Sequence, residues 1–112
     1  MKYTHSNLAA GRWHSLSIAE QLGNVGSEVE RAIRWYEKNN REYFESAFLR
    51  MLELLDLTIG DKRWTGRRRR ELTRVREMIC DSFENGNKSS IQLSQWPKYF
   101  MPFAILARAS VI

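Results

Sequence analysis

Residues 15–40 read SLSIAEQLGNVGSEVERAIRWYEKNN, and this stretch decides the fold class. Ile18, Leu22, Val25, Val29, Ala32, Ile33 and Tyr36 recur at alternating spacings of about three and four, the period of one apolar helical face. The start is marked as well. Ser17 stands where an N-cap is needed, and Glu20 completes a capping box. Ala19, Gly23 and Gly26 lie beside the apolar stripe as a flank of small residues. A glycine in a helix interior costs roughly 1 kcal/mol relative to alanine. A close helix–helix approach is the expected offset; a helix break is the alternative. Gln21, Asn24, Glu28, Arg31 and Trp35 form a second stripe on the other flank, read as a partly solvated face with Glu28 and Arg31 paired. Asn39 and Asn40 end the helix, because asparagine tolerates the left-handed conformation a C-terminus needs.

Downstream the same period returns. Phe44, Ala47, Phe48, Met51, Leu54, Leu55 and Thr58 define the buried face of a second helix. The connection is short, so the two helices are predicted to pack antiparallel. Residues 60–66, GDKRWTG, read as a loop, with Gly60 as a C-cap and Asp61 or Thr65 as the next N-cap. Leu72, Val75, Ile79 and Phe83 face the core from a third helix that Asn85-Gly86-Asn87 stops. A fourth follows from Ser94, where Pro97 suits a first turn and Pro102 does not suit an interior. Either a kink near Met101 or a helix beginning near Pro102 is expected. Upstream, residues 1–14 read as an irregular arm, with Trp13 and Leu16 tucked onto the bundle. The expectation is therefore one all-α domain over 1–112. Its helices fall at about 16–38, 41–59, 67–84 and 94–109, as a four-helix up-down-up-down bundle.

The chain of 112 residues carries a formal charge of +5, and the charge is local. Lys62, Arg63, Arg67, Arg68, Arg69, Arg70, Arg74 and Arg76 fall within fifteen positions, opposed there only by Glu71, while the rest of the chain has a net charge of −2. A concentrated patch points to an anionic partner better than a uniform excess does. Arg67–Arg70 also occupy a helix N-terminus, where the macrodipole disfavours cations. Arginine forks and free helix N–H groups suit phosphate, and Trp64 offers a ring on which a base can stack. The competing expectation is an ordinary salt-bridged solvent face, since Arg70, Arg74, Glu77 and Asp81 share one outer side.

Catalytic signals are absent from the residue pattern. Glu42, Glu45, Glu53 and Asp56 form ExxE and ExxD pairs like those that hold magnesium in the all-helical nucleotide pyrophosphohydrolases. Here all of them lie on one helix, opposite its core face, and read as a solvated acidic stripe. His14 beside Ser15 and Ser17 lacks an orienting acid and reads as a cap or surface residue. Cys80 reads as a small buried hydrophobe and has no partner for an internal disulfide. No apolar run approaches a membrane span of ~20 residues, and the first residues lack the apolar core of a signal peptide. A cytoplasmic protein is expected.

The runs WHSLSIAEQLGNVGSEVERAIRW (13–35), LELLDLTIGDKRWTGRRRRELTRVREMICDSF (52–83) and KYFMPFAILAR (98–108) resemble a family of small, uncharacterised bacterial proteins. That resemblance implies a helical fold and no particular activity; Pro97 and Pro102 depart from the family at its last segment. The R-x4-6-H motif of HEPN nucleases and the E-x-x-H pairs of ferritin-like carboxylate proteins are both missing. The functional expectation is a non-enzymatic interaction module without cofactor, forming a homodimer, whose nucleic-acid or acidic-protein partner meets residues 62–76. The alternative is an accessory subunit or a degenerate metal-dependent nucleotide hydrolase using the second-helix carboxylates.

Overall fold

A computed structural model of the chain describes residues 11–109, and its secondary structure is entirely helical. The long helices are α1 (Ile18–Glu37), α2 (Arg41–Ile59), α3 (Gly66–Asn85) and α4 (Trp96–Ala109), with 3-10 turns at Gly86–Lys88 and Leu93–Gln95 between the last two. None of them is long and apolar enough to cross a membrane.

The start of α1 is fixed by the Ser17–Glu20 capping box. Ser17 Oγ accepts from Glu20 N at 3.1 Å, and Glu20 Oε1 accepts from Ser17 N at 2.9 Å. Asn39 takes a φ of 57° and turns the chain, and Asn40 Oδ1 then caps α2 by accepting from Tyr43 N at 3.0 Å. The turn is tight enough to make α1 and α2 antiparallel neighbours: Glu28 meets Arg50, and Tyr36 stacks on Phe44. Tyr36, Phe44, Phe48 and Phe83 form an aromatic cluster at one end, joining α1, α2 and α3. The core itself is built from Leu22, Val25 and Val29 of α1, Met51 and Leu55 of α2, and Leu72, Val75 and Ile79 of α3, with Trp96 and Phe100 of α4.

Helix α1 packs along both α2 and α4. Its glycines permit the second contact. A Cβ built on Gly26 would lie 2.6 Å from Phe100 Cβ, and one on Gly23 would lie 3.4 Å from Ala104 Cα. Helix α1 is therefore unbroken at these residues, and the alternative of a break there is overturned.

Two further expectations need correction. Residues 1–10 of the expected arm lie outside the described residues, but the chain is already helical at 11–13. Trp13 explains this: it is buried and donates its indole N–H to Thr58 Oγ1 at 2.9 Å, which anchors the segment to the end of α2. The last helix begins at Trp96, not near Pro102, and runs through that proline. Pro97 sits in the first turn, where a backbone N–H has no helical partner to lose. The hydrogen bond that Pro102 cannot donate would have ended on Lys98 O, on an exposed side that water reaches. Packing on both sides of Pro102, by Phe100 and by Ala104, holds the helix together. Ser82 ties α4 to α3, accepting from Trp96 Nε1 at 2.9 Å and facing the Ile91 carbonyl.

Candidate anion-binding edge

The loop of residues 60–65 delivers the basic segment to the surface, and a buried carboxylate shapes that loop. Asp61 does not cap α3. It is 3% exposed and accepts from Gln21 Nε2 at 2.9 Å, from Arg63 N at 3.0 Å, and from Arg63 Nε and Nη2 at 3.1 and 2.7 Å. The Arg63 guanidinium holds the Asp61 carboxyl far below the ordinary carboxylate range; burial opposes this, and the Gln21 and backbone hydrogen bonds assist it. The same pair raises Arg63.

Gln21 is the hub behind this pair. Fully buried, it donates to Trp13 O at 2.8 Å as well as to Asp61, and its Oε1 accepts from Trp64 Nε1 at 2.8 Å. Arg63 Nη2 also reaches Leu16 O at 2.6 Å. The stripe is partly solvated as expected, with Asn24 and Arg31 exposed and Arg31 Nη1 2.8 Å from Glu28 Oε2, but two of its members are not at the surface. Gln21 and Glu28 are both buried, because the segment before α1 folds over the first and Arg31 with Arg50 covers the second. His14 belongs to the same corner, its Nε2 lying 3.1 Å from Leu57 O.

The basic residues thus divide. Arg63 is committed to Asp61, and Arg76 to Asp56 at 2.8 Å. Trp64 is held by Gln21, with the Arg63 and Arg68 guanidiniums 4.5 and 5.3 Å from its ring centre. Lys62, Arg67, Arg68, Arg69, Arg70 and Arg74 remain exposed and form no ion pair among the described residues. The expected salt bridges of Arg70 and Arg74 with Glu77 and Asp81 do not form. Arg67–Arg69 lie in the first turn of α3 and Arg70 just beyond it; that turn holds no acidic residue, and Thr65 at the N-cap position makes no side-chain capping hydrogen bond. Arg67, Arg69, Arg70 and Arg74 line one groove of about 1110 Å³, together with Gly66, Thr73, Met78 and Ser90 and the acids Glu71 and Glu77.

The carboxylates of α2 are scattered instead. Glu42 is exposed, Glu45 pairs with Arg41 at 3.5 Å, and Asp56 faces Arg76. Glu53 is buried at 3% exposure with Oε1 lacking a hydrogen-bond partner, so it is not part of a solvated stripe. At about 100° per residue Glu53 points away from Met51 and Leu55, yet all three are buried. Helix α2 is covered on opposite sides at that height, which a one-face reading cannot foresee. Among the described residues no group of three or more histidines, cysteines or acids is placed to hold a metal. Cys80 is half-buried, and that burial pushes its thiol up, away from nucleophilic chemistry.

No protein-family model matches the chain, and neither a curated protein nor a solved structure does.

Proposed function

We propose that this chain is a non-enzymatic four-helix bundle of up-down-up-down topology that holds a phosphate-rich polyanion, nucleic acid foremost, along the start of α3. The observation that carries this reading is the set of unpaired arginines. Arg67, Arg69, Arg70 and Arg74 share one groove and are left without ion pairs among the described residues. Arg63 and Arg76, equally close in sequence, are neutralised by acids. Uncapped helix N–H groups beside guanidinium forks are complementary to phosphate oxygens. The groove is open and holds no base-reading element, so the reading is of backbone charge, not of sequence.

The test is a fluorescence-polarisation titration with short RNA and DNA at two salt concentrations. Wild type is compared with a variant carrying serine at Arg67, Arg68, Arg69 and Arg70. Salt-sensitive binding that the variant loses, with its circular dichroism unchanged, is the expected result. Absence of binding, or binding that survives the substitutions, overturns the reading and leaves an acidic protein surface as the partner to seek.

A further inference from the structure

Helix α4 is finished on one side only. Trp96 and Phe100 are buried, whereas Met101, Ile105 and Leu106 are 57%, 60% and 59% exposed. Met101, Pro102, Ile105 and Ala109 project from one side of the helix within an arc of about 100°, which Lys98 shares at the Pro97 end, and all five are exposed. Beside them a groove of about 290 Å³ runs between α1 and α4, and Glu30, Met101, Ile105 and Arg108 all line it.

Two opposite charges bracket this apolar patch. Gly23 faces Ala104 and Gly26 faces Phe100, so α1 and α4 run antiparallel. Glu30, about one turn beyond Gly26, stands at the Pro97 end of α4, while Arg108 stands at the other end. Both are exposed, and neither forms an ion pair among the described residues.

The geometry points to a second copy of this chain as the occupant, packed α4 against α4 about a two-fold axis level with Phe103. Such an axis sets Met101 against Ile105 of the partner subunit, and the reverse. Arg108 lies about 7.5 Å along the helix from the axis, level with position 98 on the facing helix. That is the end where Glu30 of the partner subunit stands. The attraction occurs twice by symmetry, as an isologous contact requires. Lys98, exposed at the same end, leaves each Glu30 as an acid between two cations. A foreign partner needs no such matching; the patch carries both halves of its own complement. Arg108 stands about 7.5 Å and Glu30 about 10.5 Å along the helix from one axis, a difference within the reach of an arginine side chain. A 14-residue helix is only about 21 Å long, so the contact is small and the dimer dissociates readily.

Sedimentation equilibrium of the full chain across a concentration series tests this. Wild type is expected to pass from 13.2 kDa to twice that mass as concentration rises. Ile105→Asp weakens dimerisation by at least about tenfold. Glu30→Arg and Arg108→Glu each weaken it, and the double exchange restores it. Circular dichroism on every variant confirms the fold, which substitutions at exposed positions leave intact. A monomer at all concentrations, a dimer indifferent to Ile105→Asp, or a double exchange that fails to restore association overturns the inference. The readout is independent of polyanion binding.

Discussion

At Asp61 a single carboxylate accepts four hydrogen bonds while almost wholly removed from water. Asp61→Asn removes the charge and turns one acceptor into a donor that faces Gln21 or Arg63. Charge-assisted hydrogen bonds contribute about 1.5–3 kcal/mol each, but Arg63 regains solvation when released, so a net loss of about 2 kcal/mol is expected. Urea unfolding at neutral pH measures it as a lower midpoint with unchanged slope. The pH dependence has a definite sign. Asp61 is depressed in the folded chain and ordinary, near about 3.9, when unfolded. Its contribution is therefore complete above the unfolded value and drains away as the pH falls below about 4, where the unfolded chain takes up the proton first. Asp61→Asn should flatten that part of the stability curve. Asp61 is legible in the sequence only as a loop residue fit to cap a helix. Of its true partners Arg63 is only two residues away, but Gln21 is set by a contact across forty residues that no local pattern encodes.

The helices are more legible because each rests on a local rule. The capping box, the left-handed Asn39 and the core faces of α1 and α3 are period and stereochemistry, and the structure follows them except at Tyr36, which closes the α1 face but is 39% exposed. The two glycines of α1 show where such rules stop. Propensity treats them alike and promises up to about 1 kcal/mol for alanine at either. Their surroundings differ. An alanine Cβ at Gly23 meets Ala104 at ordinary van der Waals distance, so Gly23→Ala should stabilise by a few tenths of a kcal/mol, up to about 1. At Gly26 the new atom would stand 2.6 Å from Phe100 Cβ. That atom adjoins the backbone of α4 and cannot swing away, so overpacking of about 1–3 kcal/mol outweighs the propensity gain. Thermal unfolding should raise Tm for Gly23→Ala and lower it for Gly26→Ala. Equal shifts would mean that α4 does not press on α1 as described. The burial of Glu53 escapes the pattern for a matching reason: periodicity finds the most apolar side of a helix, not whether the opposite side is also covered.

Across the whole molecule, net charge and charge placement make different forecasts. A sequence pI of about 9.7 would draw any polyanion weakly, whichever cation is removed. The arrangement at α3 is more particular, because Arg74 lines the open groove while Arg76 is held by Asp56. Arg74→Gln and Arg76→Gln lower the net charge equally. If placement governs, Arg74→Gln weakens single-strand binding and reduces the slope of log K against log salt by about 0.7, the value for one fewer phosphate neutralised. Arg76→Gln leaves that slope nearly unchanged. Its effect falls on stability instead, by less than about 1 kcal/mol, since both members of the pair are partly in water. A salt series of polarisation titrations reads the first quantity and urea unfolding the second. Equal reductions of affinity in the two variants would mean that the chain attracts polyanions by its overall charge, and the groove at the start of α3 would have no special part in holding them.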